Sequence, residues 1–507
     1  MSTSATSATS SIKAGWAERL TGAAFRYHHW FGLLCCFAVM SWGVSGVMHP
    51  IMSRISPQPV AMRPPAAQIS LHKALAPAEV LARAGIDEVA ALRVIDWDDK
   101  VFYQVSLPGD PRRRYFDANS GSETPDADAL YAKALAKHFT GNDSTAKPVL
   151  LERFDDDYLS VNRLLPVWRI DDAGKDNLRA YIETSPPRLA GLVDDTKATL
   201  GDLFRLLHTW EFVGTDGAQN PLRKSLITLL LLTTLLSASS GILIYGSLWK
   251  RSSLRKQHLP SRRWHRTLGI AVAVSSLTFS LSGLWHLLGS ESRETPAPLI
   301  GRLPVSELQL PGAMRHGAWK EVFAINLDGQ TYYQLHAASG HKSDRSHAIE
   351  PAVEHDHRVK PGGQMHAQTL YLRSDNDVML ADAESLHARC LARQYNGLPD
   401  SNIVKTSFIT QFEGEYGFLN KRLPVWRVDY ATPDHAAYYV ETGSGALATV
   451  VRDSDRWEGW SFAYLHKFHW LDFAGKDARD FIMALFGLGN LMVAVLGLWI
   501  FVSRYRR

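Results

Sequence analysis

One apolar stretch occurs twice in this chain, and it limits what the rest can fold into. The first copy opens Arg26-Tyr27-His28-His29-Trp30-Phe31-Gly32 and stays apolar as far as His49. The second opens Arg262-Arg263-Trp264-His265-Arg266-Thr267-Leu268-Gly269 and stays apolar as far as His286. Aligning His28 with His265 also aligns Gly32 with Gly269, Ser45-Gly46 with Ser282-Gly283, and His49 with His286. In both copies the two histidines are 21 residues apart. As an α-helix that interval rises about 31 Å, close to the hydrocarbon thickness of a bilayer. Each copy is therefore expected to span a membrane with an imidazole near either face.

Two more apolar runs are long enough to span, at 226–248 and 481–502. Four transmembrane helices are expected, at 26–50, 223–248, 264–289 and 479–503. The N-terminal run lacks a small-residue cleavage site after it, so an uncleaved anchor is the expectation. Residues 1–25 are expected to be a disordered cytoplasmic N-terminus, being Ser/Thr/Ala-rich at their start. The loop 249–263 carries Lys250, Arg251, Arg255, Lys256, Arg262 and Arg263 and no acid, and the tail 504–507 is also basic. Basic short segments stay cytoplasmic. The large polar segments 51–220 and 290–478 then lie on the other side, the periplasm of a bacterium, and the chain is a multi-pass protein of the inner (cytoplasmic) membrane.

The duplication continues into the polar segments. Asn162-Arg163-Leu164-Leu165-Pro166-Val167-Trp168-Arg169 returns 258 residues later as Asn420-Lys421-Arg422-Leu423-Pro424-Val425-Trp426-Arg427. The same offset pairs Tyr158 with Tyr416, Tyr181 with Tyr439, Glu183-Thr184 with Glu441-Thr442, and His208 with His466. Alternating stretches such as Val101-Phe102-Tyr103-Gln104-Val105 predict strands, and 77–84 and 129–138 have helical composition. Residues 199–212 repeat apolar positions at three- and four-residue steps, which predicts an amphipathic helix near a membrane surface. Two parallel repeats follow, each a spanning helix, an α+β domain, a surface helix with a histidine, and a second spanning helix.

A histidine in or beside a membrane span needs a reason. Neutral imidazole binds iron well, and haem is commonly held by axial histidine. Facing helices of a bundle build cofactor sites from inward side chains. His28 with His265 predicts one haem site and His49 with His286 a second. His29 is an alternative to His28, although only His28 aligns with His265. His208 and His466 form a third matched pair that replaces, or adds to, the outer pair. Gly32, Gly46, Gly269 and Gly283 make room for close helix packing or a flat macrocycle. Trp30, Trp42 and Trp285 are open to two readings, packing on a porphyrin or an ordinary interfacial belt. His469 aligns with Glu211 and so has no matched partner.

Other clusters read more plainly. His336, His341, His347, His355, His357 and His366 fall in a Gly/Ser/Asp-rich stretch; a solvated loop is favoured over a transition-metal site. Asp155-Asp156-Asp157, with Glu413 and Glu415 aligned to Asp155 and Asp157, reads as a solvated turn ahead of a calcium feature. Arg163, Arg169, Arg422 and Arg427 are expected to pair with carboxylates inside their domains, with haem propionates or an anionic chelate as the other option. Three cysteines without zinc-type spacing predict neither disulfides, structural zinc nor iron–sulfur clusters. The net charge of +4 gives no ground for nucleic-acid binding. No Ser/His/Asp set, phosphate loop or dinucleotide fingerprint is present, so no catalytic side chain is assigned.

Pro-Val-Trp-Arg followed by a strand ending in Glu-Thr is similar to the PepSY motif. With the Trp-His-Arg and Ser-Gly-x-x-His helix signatures and Leu465-His466-Lys467-Phe468-His469, it resembles the PepSY-associated membrane-helix family over about residues 20–505. Within that family the architecture is most similar to inner-membrane ferric-siderophore reductases of the ferrioxamine type. The resemblance implies b-type haem, two of them being expected from the histidine pairs above, and an enzyme that delivers electrons to a periplasmic ferric-siderophore. The donor would be another protein or a membrane quinol. Two alternatives stand beside it. One is a non-redox regulatory or binding protein acting on a peptidase or transporter; the other is a metal-handling protein using residues 336–366.

Overall fold

The computed structural model describes residues 5–214, 220–249, 260–289, 299–337 and 369–505. Among them the α-helices in chain order are α1 (Ala5–Ile55), α2 (Pro77–Arg83), α3 (Ala127–Thr140), α4 (Asp195–Phe204), α5 (Pro221–Trp249), α6 (Pro260–Gly289), α7 (Gly312–His316), α8 (Ala383–Asn396), α9 (Asp453–Ser461) and α10 (Lys476–Tyr505). The chain divides into two compact units. One comprises Met1–Ser56, Thr199–Arg293 and Ser454–Arg507; the other comprises Pro57–Ala198 and Glu294–Asp453.

In the first unit four helices are long and apolar enough to cross a membrane, over Glu18–Ile55, Pro221–Ser247, Pro260–Gly289 and Lys476–Arg504. Proline opens both α5 and α6, where its missing N–H costs nothing. The predicted disordered N-terminus differs from the structure, in which α1 already begins at Ala5. Ala5, Ala8, Ala14 and Ala17 are strong helix formers, and the first proline of the chain is Pro50. Of the basic loop, residues 250–259 lie outside the described residues.

α1 packs against α5 and α10, and α6 packs against the same two helices. α1 and α6 are therefore diagonal across a four-helix bundle. With neighbouring axes about 8–10 Å apart, the diagonal is roughly 11–14 Å, the widest opening the bundle has. Small residues tighten the sides. A Cβ on Gly43 would stand 3.0 Å from the Leu491 Cβ and 3.1 Å from the Gly487 carbonyl oxygen, so α1 and α10 approach closely there. Asn490 of α10 joins α6 through the Ser276 hydroxyl and by donating to Ser275 Oγ at 3.2 Å.

The second unit is built on sheets. Its largest has eight strands, with Met379–Leu380, Thr369–Arg373, Gln330–Ala337, Ala318–Leu327, Ala91–Trp97, Lys100–Ser106 and Arg113–Asp117 as neighbours in that order, and Ile69–Ser70 also on Ala318–Leu327. The central pairing is antiparallel and places Val322 opposite Val94 and Ala324 opposite Leu92. The two polar segments thus share one sheet, whereas the sequence predicts two separate α+β domains. Leu92, Val94, Val322 and Ala324 are all buried. Without this pairing each strand would leave an apolar edge open.

Two four-stranded antiparallel sheets complete the unit. One is Val149–Leu151, Val167–Ile170, Arg179–Thr184 and Pro187–Val193; the other is Ile403–Ile409, Val425–Tyr430, Ala437–Glu441 and Ala446–Val451. α3 covers the first through Tyr131, Leu135 and Phe139, and α8 covers the second through Ala388, Leu391 and Ala392. Both helices stop at a left-handed glycine, Gly141 (φ 72°) and Gly397 (φ 70°), where a Cβ would be strained. A closed ring of four buried charges lies between these sheets. Arg188 pairs with Glu183 at 2.9 Å and Glu441 at 2.5 Å, and Arg422 pairs with Glu441 at 2.7 Å and Glu183 at 3.5 Å. Burial alone would raise the Glu441 carboxyl, but the two guanidiniums outweigh it and hold it down at about 2.

Candidate functional site

The diagonal helices of the bundle bring His28 and His265 together. Their ring centroids are 6.3 Å apart and their planes are inclined by 61°. Each ring is fixed through Nδ1 to the helix beside it. His28 Nδ1 lies 3.0 Å from Ser240 Oγ and 3.2 Å from the Ser237 carbonyl oxygen of α5. His265 Nδ1 donates to the Val493 carbonyl of α10 at 3.1 Å. A proton on Nδ1 leaves Nε2 with its lone pair, the arrangement seen in metal-ligating histidines. Two glycines clear the space for these rings. A Cβ on Gly241 would stand 3.3 Å from His28 Cε1, and one on Gly497 would stand 3.2 Å from His265 Cε1. His29, the alternative to His28, instead has its ring against Trp30 at 5.0 Å.

A second facing pair is His208 with His466, at a centroid distance of 6.4 Å and an inclination of 86°. Neither is on a spanning helix. α4 runs into a π-helical turn, Arg205–Thr209, and α9 into another, Phe462–His466. π-turns of this kind re-aim side chains and are frequent at functional sites. After each turn an aromatic residue takes a left-handed conformation, Trp210 at φ 55° and Phe468 at φ 54°. Such a conformation is costly for a bulky side chain and persists only where its surroundings impose it. Phe204 stacks on His208 at 4.7 Å, and Phe462 stacks on His466 at 5.0 Å. His208 Nδ1 is 2.9 Å from Ser45 Oγ. His466 Nδ1 is buried and has no hydrogen-bond partner among the described residues. Burial, followed by Lys467, lowers His208 to about 4; burial, followed by His208, lowers His466 to about 3. Both are neutral at ordinary pH, the form that binds a metal.

The structure does not stack His49 on His286. Both are exposed; His49 has its ring 6.0 Å from Phe204, and His286 has its ring 5.6 Å from Phe462. Lys467 Nζ lies 3.0 Å from His49 Nε2, and Glu458 Oε1 lies 2.6 Å from His286 Nδ1. The rings that oppose each other at this end belong to His208 and His466. The reason is local: the π-turns reach inward past the ends of the spans. Ser45, the partner of His208, stands 17 residues after His28, about 26 Å along α1. Phe279, whose ring is 5.4 Å from His466, stands 14 residues after His265, about 21 Å along α6. The two ring pairs are thus nearer than the 31 Å that the spacing of His28 and His49 suggests.

The remaining candidates fall elsewhere. Trp42 donates to the His208 carbonyl at 3.1 Å, while Trp30 and Trp285 are exposed. Gly32 and Gly283 make ordinary contacts, and a Cβ on Gly46 or Gly269 would meet no atom within 4 Å. His469 is tied to Asp472 and Arg479. His336 pairs with Glu321 at 3.2 Å; His341, His347, His355, His357 and His366 lie outside the described residues. Asp155 caps its own turn through the Asp157 and Tyr158 amides, and Asp157 pairs with Arg179 at 3.3 Å. Glu415 pairs with Arg427 at 3.0 Å, and Arg169 pairs with Asp171. Arg163 departs from the expected carboxylate pairing and donates to the Asn420 side chain, while Lys421 donates to Asn162.

The two ring pairs fit a common ligand. A metal–imidazole bond is about 2.0 Å and the ring centroid lies roughly 1.2 Å beyond, so two imidazoles on one metal hold their centroids roughly 6.3 Å apart. No group of three or more His, Cys, Asp or Glu suited to a bare metal ion occurs among the described residues. Two opposed imidazoles without further side-chain donors of this kind would suit a metal that brings ligands of its own. Sequence reasoning missed Gly241 and Gly497; the signal was that they stand 256 residues apart, as do Ser237 and Val493. No curated protein matches the chain. A family model described as PepSY-associated TM region matches residues 25–504, and the chain belongs to that family.

Proposed function

We propose that this protein is a haem b oxidoreductase of the inner membrane, one that carries electrons across the bilayer to a periplasmic ferric-siderophore. The observation that carries this reading is the pair of opposed histidine couples, 6.3 and 6.4 Å between ring centroids. His28 and His265 would hold one haem, His208 and His466 the other. Bound there, haem b supplies one-electron chemistry between its ferric and ferrous states. The chain's own part is to orient the four imidazoles, to keep His208 and His466 neutral, and to set His28 and His265 among apolar helix faces. His49 and His286 then belong to the mouth of the second site.

The direction follows from charge. The basic segments beside α5, α6 and the C-terminus belong on the cytoplasmic side. His28 and His265 then receive electrons from a donor protein or quinol, and the His208 end faces the periplasm. The duplicated polar segments are read as two PepSY-like α+β modules that together hold the ferric chelate. Each ferric ion takes up one electron, and the weaker hold of the chelate on ferrous iron releases it.

Oxidised and dithionite-reduced spectra of the detergent-purified protein test this. Low-spin haem b is expected, with about half lost on His28→Ala/His265→Ala and the other half on His208→Ala/His466→Ala. A colourless protein from haem-replete cells would sink the reading and favour the non-redox alternative.

A further inference from the structure

We infer that Lys467 and His49 form a carboxylate-binding site beside the His208–His466 pair. Lys467 follows the π-turn that carries His466, and it is half-buried. Its ammonium lies 3.0 Å from His49 Nε2 and 3.4 Å from Nδ1, and 5.8 Å over the Phe462 ring. No carboxylate among the described residues is within ion-pair distance of it. The acids nearby are engaged: Asp472 and Asp480 with Arg479 at 2.7 and 3.5 Å, Asp477 with Arg54 at 2.5 Å. An ammonium drawn partly out of water, with an imidazole ring and no carboxylate against it, is short of an anion.

The duplication makes this site one-sided. His49 and His286 occupy matched places, against the matched rings of Phe204 and Phe462. Yet the position matching Lys467 is Thr209, and the position matching Glu458 is Leu200. Lys467 thus puts a positive charge beside His49, and Glu458 puts a negative charge beside His286. A ligand with one acidic edge is attracted at the Lys467 side and repelled at the Glu458 side. Two sources share this chemistry: the propionate edge of a porphyrin held by His208 and His466, and a free polycarboxylic acid from solution. Only the first rests on the haem reading.

The test uses full-length protein in detergent, as wild type, Lys467→Met and Lys467→Arg, with melting curves to establish folding. In one arm, transfer to apomyoglobin measures retention of haem b against its dimethyl ester. In the other, citrate is titrated calorimetrically into haem-free protein. If the carboxylate is a propionate, wild type retains haem b at least about tenfold better than the diester, Lys467→Arg keeps most of that preference and Lys467→Met abolishes it. If it is a free acid, haem and diester are retained alike while citrate binds to wild type and not to Lys467→Met. A protein that takes up no haem sinks the haem reading, and the citrate arm still decides the site. Equal behaviour of wild type and Lys467→Met in both arms overturns the inference. Should Lys467→Met fail to fold, His49→Gln replaces it, with the same outcomes deciding.

Discussion

The two histidine pairs have nearly the same separation and are held in different ways. His28 and His265 sit on the spans themselves, each tied through Nδ1 to a backbone carbonyl of the adjacent helix and each backed by a glycine. A backbone carbonyl inside a helix cannot move without breaking the helix, so this pair is rigid by construction. His208 and His466 ride on π-turns outside the spans, and their support is unequal. Ser45 holds one, and no described residue holds Nδ1 of the other. A serine hydroxyl rotates, and an unbonded nitrogen tolerates tilt. The contrast teaches that equal spacing does not mean equal stiffness. The first pair is built to hold one geometry, and the second is built to adjust.

Three changes sharpen or break that contrast. The largest effect is expected from Gly497→Val, because a Cβ there is already 3.2 Å from the His265 ring. The ring must move and the first pair separate, and on the proposed haem reading about half of the bound haem is expected to be lost. Haem quantified per chain checks this, and full retention would show that the first pair is not rigid. Next is Glu441→Gln, which belongs to the other compact unit and is a control for general destabilisation. Leaving Arg188 and Arg422 with one carboxylate fewer is expected to cost ~3–5 kcal/mol, seen as a lower melting temperature at neutral pH with unchanged haem content. The sign with pH is fixed. Glu441 is held at about 2 when folded against 4.5 unfolded, so its stabilisation is complete above 4.5 and is lost as pH falls toward 2. Glu441→Gln removes that slope. The smallest effect is expected from Ser45→Ala, which makes the supports of His208 and His466 alike. Affinity at the second pair should fall about tenfold, with the first pair untouched; titration of haem into the apoprotein reads it.

How much of this was legible depends on whether the signal was periodic or conformational. The four spans follow from apolar length, and His28 opposite His265 follows from aligning two copies of one helix. His208 and His466 are visible as a matched pair, but nothing in a run of residues announces a π-turn, so the sequence cannot tell that they face each other while His49 and His286 do not. Gly241 and Gly497 look like ordinary small residues of a span until the helices carrying them are compared with each other. The shared sheet is hidden for another reason. Ala91–Trp97 and Ala318–Leu327 read as strands of their own segments, and choice of a neighbour more than 200 residues away leaves no local mark.

That shared sheet has a consequence for any attempt to halve the molecule. A gene cut within the segment joining α5 to α6 would give two polypeptides, each with two spans and one of the polar segments. Each would also carry a raw strand, Ala91–Trp97 in one and Ala318–Leu327 in the other, stripped of its mate. Such fragments are expected to be sticky when made separately and to regain solubility when made together.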